Sequence, residues 1–266
     1  MTSDLELNLI AGLTRHLPAV RGAGVLANFL IGLYNRKSRP PVEVEANGIR
    51  LRLWPGDSLS EKALTFYPQL YDRHEFAYLR RRLQQGDLFV DVGAHIGAYT
   101  LAAAKLVGGE GRVITLEAFS PTFEKLLHNV ELNQAHNVTA RNVGVSDATE
   151  KLRLAVNAKN SGGNSFRSRT GEFVDVDCLP LLDLLRDADV PAVTGMKLDI
   201  EGFECRVLGK FFADAPVEMW PEFMIVEESS KSGGGDSPVR LLTGQGYDVV
   251  WQGKLNCILE RSPSQA

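Results

Sequence analysis

A carboxylate followed by two glycines is the first chemically informative feature of the chain. Asp91, Gly93 and Gly97 lie in the segment Asp-Val-Gly-Ala-His-Ile-Gly, which follows the apolar run of residues 88–90. Glycine lets the backbone approach a ligand closely, but the Gly-x-Gly-x-x-Gly cradle for a pyrophosphate is missing. Asp91 has the wrong charge for phosphate and suits an ammonium group, bound directly or through water. The predicted ligand-contacting residues of this loop are Gly93, Ala94, His95 and Gly97.

Polar residues also end the next two predicted strands. Glu117 closes the second strand, where a carboxylate can accept hydrogen bonds from both ribose hydroxyls. Asn142 and Val143 follow at the tip of the third strand and are predicted to contact the adenine edge. Glu117 would serve a nicotinamide dinucleotide equally well. The loop before it distinguishes the two cofactors, and its spacing favours S-adenosylmethionine. The alternatives are a helix cap for Asp91 and solvated strand tips for the others.

A second acidic segment, Asp199-Ile200-Glu201-Gly202, ends the fourth predicted strand. Gly202 favours a turn that brings the carboxylates of Asp199 and Glu201 to the rim of the pocket. Either could act as a catalytic base, or the pair could hold a divalent ion such as Mg²⁺ that lowers the pKa of an acceptor hydroxyl. Glu227 is a secondary candidate base. In the alternative interpretation, Glu201 or Glu204 caps the next helix and Asp199 only organises the loop.

The elements that position these residues alternate between strand and helix. Strands are predicted at 88–92, 112–117, 138–143, 195–200 and 223–227, with helices between them. This alternation predicts an α/β fold with a mostly parallel, doubly wound, Rossmann-like sheet. Two antiparallel strands around Gln252-Gly253 close the chain as a C-terminal hairpin. The Ser/Gly/Asn-rich loop Ser161–Ser168 is predicted to face the substrate.

An extension precedes this core. Two short amphipathic helices between Leu5 and Tyr34 and a β-hairpin turning at Asn47-Gly48 are predicted. The domain division is therefore residues 1–72 for the extension and 73–266 for the cofactor-binding domain. Basic residues near the end of the helices could contact a membrane surface, although a helical cap on the domain is favoured. Glu75, at the start of the helix before the core, is expected near the methionine tail or the acceptor.

Composition excludes several classes of protein. The 266 residues carry 29 basic and 33 acidic side chains, so no excess of positive charge indicates a nucleic-acid partner. Three scattered cysteines form neither a disulfide framework nor a Cys-x-x-Cys zinc site. No secretory signal and no apolar run long enough to cross a bilayer are present. These features predict a cytoplasmic location, and nothing in the sequence indicates an oligomeric state.

Together, the segments at 91–97, at Glu117 with Asn129 and Asn133, and at Lys197–Glu204 resemble the FkbM family of methyltransferases. The resemblance spans about residues 73–228. It implies a class I methyltransferase fold, S-adenosylmethionine as cofactor, and O-methylation of hydroxyls in sugars, glycans and secondary metabolites. The chain has His95 where many relatives carry Asn, which leaves cofactor binding intact but questions a side-chain role there.

The expected activity is thus O-methyl transfer from S-adenosylmethionine to a small-molecule or glycan acceptor. Two alternatives are an NAD-dependent oxidoreductase on a related sheet and a noncatalytic module that binds S-adenosylmethionine. The missing phosphate cradle argues against the first. The presence of Asp91, Glu117 and Asp199 together argues against the second.

Overall fold

The computed structural model describes residues 41–157, 161–166, 168, 170–228 and 237–262. The two helices predicted between Leu5 and Tyr34, and their membrane contact, lie outside these residues. The described strands are β1 (Val42–Ala46), β2 (Ile49–Leu53), β3 (Leu88–Val92), β4 (Arg112–Glu117), β5 (Val138–Asn142), β6 (Gly144–Ser146), β7 (Glu150–Val156), β8 (Glu172–Pro180), β9 (Gly195–Leu198), β10 (Phe223–Glu227), β11 (Tyr247–Gln252) and β12 (Asn256–Arg261). The described α-helices are α1 (Leu59–Phe66), α2 (Arg73–Arg82), α3 (Ala98–Val107), α4 (Ser120–Leu132), α5 (Leu181–Asp187), α6 (Glu204–Asp214) and α7 (Pro238–Gly244).

A seven-stranded sheet forms the centre, in the order β11-β12-β10-β9-β3-β4-β5. The pairs from β10 to β5 are parallel, whereas β12 is antiparallel to both of its neighbours. Strands buried on both faces need near-continuous apolar sequence, which β3, β4 and β10 have. The predicted α/β class, the mostly parallel sheet and the antiparallel C-terminal hairpin are therefore confirmed. The order reverses beside β3, so the carboxyl ends of β3, β4, β9 and β10 share one edge.

Hydrophobic clusters cover both faces of the central sheet. On one face, α5, α6 and α7 pack against residues such as Val90, Met196 and Val226. On the other face, α2, α3 and the β1–β2 hairpin pack against Phe89, Val113 and other side chains. The hairpin thus shares a cluster with the core, and no described helix is long and apolar enough to cross a membrane.

A small second sheet, in the order β6-β8-β7, stands beside the tip of β5. Its strand β8 runs from Glu172 to Pro180 and leads directly into α5. Residue Ser165, between β7 and β8, pairs with Ala155 through two backbone hydrogen bonds of 3.0 and 3.1 Å. This pairing turns the loop back towards the end of the central sheet.

Helix α1 was absent from the predicted elements, although the sequence contains its signal. Ser58 caps the helix, its Oγ accepting a hydrogen bond of 3.0 Å from the Glu61 N–H. Ser-x-x-Glu is the capping-box pattern that marks a helix start. Glu61 is fully buried and forms an ion pair of 3.0 Å with Lys125 on α4. These contacts tie α1 to the core beside the loop of residues 93–97, which we call the ligand loop.

Candidate active site

The carboxyl ends of the parallel strands open on a pocket of about 880 Å³, counted with its solvent-open mouth. This volume lies in the range of clefts that bind small molecules. Its walls come from the ligand loop, the tips of β4, β5 and β9, the start of α1 and the segment between β7 and β8. Of the predicted site residues, the pocket is lined by Gly93, Ala94, His95, Glu117, Val143, Asp199 and Glu201.

The glycines of the ligand loop are needed for close packing. Gly93 has φ +77°, and a Cβ built on it would stand 1.9 Å from the backbone oxygen of Asp199. Gly97 has φ +88°, and a Cβ there would stand 2.5 Å from Leu126 Cδ1. Both positions also have the left-handed backbone that favours glycine. The loop therefore lies directly against the turn after β9, which joins the two predicted halves of the site.

Glu117 is oriented by backbone donors on either side. The N–H of His95 donates to one carboxylate oxygen at 2.8 Å, and the N–H of Phe119 donates to the other at 2.9 Å. Burial raises the pKa of Glu117 to about 7, although these two hydrogen bonds oppose the shift. Each oxygen keeps a lone pair for a further hydrogen bond. The group is held in one orientation at the pocket wall.

His95 adopts φ +52°, and its ring contributes to the pocket wall. The ring Nε2 lies 3.3 Å from Ser161 Oγ. Burial lowers the pKa of His95 to about 4, so the imidazole is neutral at physiological pH. Its side chain therefore contributes shape and a hydrogen bond, not charge.

Asp91 lies beneath the pocket and is not among the lining residues. It is 0% exposed, and Thr100 Oγ1 donates to its Oδ2 at 2.6 Å. Its Oδ1 has no hydrogen-bond partner among the described residues. Burial raises the pKa of Asp91, while the neighbouring charge of Lys197 and the Thr100 hydroxyl lower it. A buried carboxylate oxygen without a donor is costly, and the described residues supply no hydrogen-bond donor to this one.

Three carboxylates meet at the other end of the pocket. Asp199, Glu201 and Glu227 each place an oxygen within 4.8 Å of the others. Lys197 Nζ donates to Asp199 Oδ2 at 2.9 Å. Burial, together with the charges of Asp199 and Glu201, raises the pKa of Glu227 to about 8. Such a group could bind a divalent cation, or it could receive the proton of an acceptor hydroxyl.

The turn after β9 is organised by Glu204. Its Oε1 accepts the N–H groups of Ile200 at 2.9 Å and Gly202 at 3.1 Å. Glu201 has φ +52° and Gly202 has φ +102°, which forms the turn expected from the glycine. Glu204 thus organises the turn before α6 and does not cap the helix, because the N-cap residue is Phe203 and the helix start has no side-chain capping bond. Asp199 and Glu201 contribute to the pocket wall.

Two predicted contact residues are engaged elsewhere. Asn142 donates from Nδ2 to the backbone oxygen of Glu117 at 2.8 Å and accepts at Oδ1 from Ser120 at 2.7 Å. It therefore fixes the turn after β4 from outside the pocket lining. Glu75 Oε1 accepts from Asn256 at 2.9 Å, which directs it towards β12 rather than the pocket. In both cases the side chain forms its hydrogen bonds with other residues of the chain.

Other pocket residues were not predicted from the sequence. They include Ser60, Tyr71, Tyr99 and Lys197, whereas Asn164 and Phe166 belong to the loop Ser161–Ser168 that is predicted to face the substrate. The position of Lys197 in an apolar strand could have predicted its place at the site, because a buried charged residue needs an opposite charge nearby. It is 6% exposed and sits beside Asp91 in the register of β3 and β9. The remainder come from loops and helix starts whose approach to the site depends on the tertiary fold.

A model of the methyltransferase FkbM domain matches residues 91–248, more than half of the chain. The chain belongs to the FkbM methyltransferase family. This FkbM-family protein is therefore an S-adenosylmethionine-dependent methyltransferase. The matched segment begins at Asp91 and includes Glu117 and the Asp199 turn. No curated protein matches the chain significantly.

Several solved methyltransferase structures are also similar. The FkbM methyltransferase of Methylobacillus flagellatus KT is 16% identical with a TM-score of 0.49, over 97% of this chain and 59% of that one. Precorrin-6y C5,15-methyltransferase of Geobacter metallireducens GS-15 is 16% identical with a TM-score of 0.45, over 71% and 88%. Aeropyrum pernix fibrillarin, solved with natively bound S-adenosylmethionine, is 12% identical with a TM-score of 0.45, over 85% and 84%. Because these TM-scores lie below 0.5, membership rests on the family model.

Proposed function

We propose that this FkbM-family protein transfers a methyl group from S-adenosylmethionine to a hydroxyl of a sugar, glycan or secondary metabolite. The observation that carries the proposal is that Asp199, an acid that lines the pocket, has its backbone in direct contact with the ligand loop. Gly93 lies so close to the Asp199 backbone that a Cβ would collide with it. A base held this near the cofactor loop is what hydroxyl methylation needs, because the acceptor proton must be removed.

The residues present fit the cofactor. The unpaired, buried Oδ1 of Asp91 supplies an acceptor for an ammonium group, although the side chain lies below the lining and a water would complete the contact. Glu117 keeps free lone pairs for the ribose hydroxyls. Val143 gives an apolar surface for the adenine ring. When bound, S-adenosylmethionine supplies a methyl group on a positively charged sulfur.

The proton chemistry assigns different roles to the acids at the acceptor end. Asp199 has its Oδ2 engaged by Lys197, which leaves Oδ1 to accept the proton of an acceptor hydroxyl. Glu227, with a pKa of about 8, is protonated at neutral pH and donates a hydrogen bond instead. Glu201 stands beside both and completes the polar surface. Asp199 is therefore the proposed base, and the other two acids orient the acceptor.

The cofactor assignment is tested by isothermal titration with S-adenosylhomocysteine. We expect wild-type protein to bind, and Asp91→Ala to lose binding by at least tenfold because an ammonium partner is removed. Asp175→Ala removes an exposed acid on β8 and is the matched control. Wild-type binding that survives unchanged in Asp91→Ala would separate Asp91 from cofactor recognition. Absence of wild-type binding would reject the residue assignment as a whole.

The base is tested by transfer of the ¹³C-methyl group of labelled S-adenosylmethionine to a panel of methyl glycosides and amino sugars. We expect Asp199→Asn to keep its affinity for S-adenosylhomocysteine within about threefold and to lose turnover by roughly 10²- to 10⁴-fold. Product NMR locates the methyl group on oxygen or on nitrogen. Unchanged turnover in Asp199→Asn would remove Asp199 from the mechanism, and cofactor binding without transfer to any acceptor would favour a noncatalytic module.

The same assay distinguishes a base from a metal site. If the three carboxylates hold Mg²⁺, EDTA abolishes transfer and Mg²⁺ restores it. If Asp199 acts as the base, EDTA leaves the rate unchanged. We expect the second result, because Lys197 already neutralises one oxygen of Asp199 and a protonated Glu227 is a poor cation ligand.

A further inference from the structure

Residues 161–166, which we call the strap, form a wall of the pocket between β7 and β8. The strap is anchored at three points. The Ser161 N–H donates to the backbone oxygen of Asp57 at 2.8 Å, and Ser165 pairs with Ala155. Ser165 Oγ also donates to the backbone oxygen of Glu201 at 2.9 Å. These anchors tie it to the segment before α1, to β7 and to the turn after β9. The strap is therefore a built wall and not a free surface loop.

Asn164 gives the strap an unsatisfied donor. Its Oδ1 accepts the Asn157 N–H at 2.8 Å, which fixes the end of the amide that carries the oxygen. Its Nδ2 is buried and makes no hydrogen bond with any described residue. Asn164 also lines the pocket. Buried polar groups in folded proteins almost always have a partner, so this NH₂ group, on a residue that lines the pocket, calls for an acceptor atom from a ligand.

The position of Asn164 indicates which part of the ligand it meets. In the bridge between Ser165 and Ala155, the neighbours Asn164 and Phe166 face the same side as Leu154. All three residues line the pocket. Phe166 and Leu154 pack in a cluster that includes Ala118, the residue after Glu117. Because Ala118 adjoins Glu117, the predicted partner of the ribose, this part of the wall belongs to the nucleoside end of the pocket.

Apolar surfaces at that end are arranged for a flat ring. Phe166 is held against Phe203 with ring centroids 5.3 Å apart. A Cβ on Gly144 would stand 3.2 Å from Phe166 Cζ, so the glycine lets the ring lie close to the β5 tip. Val143, which is 8% exposed, completes the opposite surface. The pocket end thus combines apolar contacts with a single directed N–H donor.

We propose that Asn164 recognises the adenine of the cofactor by donating a hydrogen bond from Nδ2 to one of its ring nitrogens. Ring nitrogens N1, N3 and N7 of adenine are acceptors without a proton, which matches an orphan donor. Asn142 cannot supply this contact because its amide is used within the β4 turn. The inference rests on the cofactor placement of the proposed function and adds the residue that recognises the adenine ring.

The first test compares three variants by isothermal titration with S-adenosylhomocysteine. Asn164→Asp keeps the oxygen that accepts the Asn157 N–H and replaces the donor by an acceptor, so we expect at least a tenfold loss of affinity. Asn164→Ala should lose roughly three- to tenfold. Asn157→Ala deletes an exposed amide of the same loop but keeps its backbone N–H, and should bind as wild type does. Thermal melting checks that each variant is folded.

The second test uses S-adenosylhomocysteine analogues in which N1, N3 or N7 is replaced by CH. We expect wild-type protein to bind one of these analogues about three- to tenfold more weakly than it binds S-adenosylhomocysteine. Asn164→Ala should bind that same analogue and S-adenosylhomocysteine with equal affinity. Wild-type affinity in Asn164→Asp, or equal losses for every analogue in both proteins, would overturn the inference while leaving the cofactor assignment standing. Failure of wild-type protein to bind S-adenosylhomocysteine would overturn both.

Discussion

The two ends of the pocket hold negative charge in different ways. At the nucleoside end, Glu117 receives two backbone N–H groups, and the adjoining loop is formed by glycines in left-handed backbone. At the acceptor end, Asp199, Glu201 and Glu227 face one another, with Lys197 as a cation paired to Asp199. Backbone donors fix the orientation of the single carboxylate at the first end. At the second end, burial and the repulsion among neighbouring acids raise the pKa of Glu227.

This difference corresponds to the two tasks that the proposed function assigns to the two ends of the pocket. A cofactor that is the same in every turnover is best held by backbone groups, which cannot change rotamer. Proton removal from an acceptor needs groups whose ionised and neutral forms are both accessible near neutral pH. Glu227, with its pKa of about 8, meets that condition as the hydrogen-bond donor that orients the acceptor beside the proposed base Asp199. We therefore expect backbone substitutions to affect the first end most and charge substitutions to affect the second.

The largest effect is expected from Gly93→Ala, which breaks the contact between the two ends. The new Cβ would stand 1.9 Å from the Asp199 oxygen at a residue with φ +77°, so steric overlap and backbone strain act together. We expect S-adenosylhomocysteine affinity to fall by more than about 100-fold, with a lower Tm. Gly109→Ala is the matched control, because a Cβ there meets nothing within 4 Å. Near-wild-type affinity in Gly93→Ala would show that the loop can move without loss.

The nucleoside end was largely predictable because its chemistry is local in the sequence. The spacing from Asp91 to Gly97 and the acid that ends the next strand are read directly from the chain, and β3, β4 and β10 have the predicted bounds. Asp199 and Glu201 were predicted for the same reason. The parallel sheet then follows from the alternation of strands and helices.

Other features depend on partners that are distant in the sequence. Asn142 is at a strand tip as predicted, yet its amide is used by Glu117 and Ser120, a choice that the local pattern does not reveal. The meeting of Glu227 with Asp199 follows from the pairing of β9 with β10, which requires the strand order. Asn164 enters the pocket only because Ser165 pairs with Ala155. Tertiary pairing, not propensity, decides these positions.

A smaller effect is expected when pH changes the charge of Glu117. Ribose hydroxyls donate to the ionised carboxylate, so cofactor binding favours that form. Because the pKa of Glu117 is about 7, we expect S-adenosylhomocysteine to bind roughly tenfold more weakly at pH 6 than at pH 8. Isothermal titration across this range gives the slope. Glu117→Gln cannot ionise, so its affinity should be lower at pH 8 and lack this slope; a slope equal to that of wild type would assign the titration to another group.

The smallest effect concerns Glu227, and it separates the acceptor end from the nucleoside end. Its pKa in the folded protein is about 8, above the ordinary 4.5. The stability that it contributes is therefore fully present below pH 4.5 and is lost as pH rises through 8. Glu227→Gln cannot ionise, so its Tm relative to wild type should increase between pH 5 and pH 9, by roughly 2–4 °C.

The control for this melting experiment is Glu218→Gln, at an exposed position away from the pocket, which should show no pH-dependent difference from wild type. S-adenosylhomocysteine affinity should be almost unaffected by Glu227→Gln, because Glu227 lies at the acceptor end. A Tm difference that stays constant from pH 5 to pH 9 would mean that Glu227 ionises normally in the folded protein. The acceptor end would then carry three full negative charges at neutral pH, which would favour a bound cation over a single base.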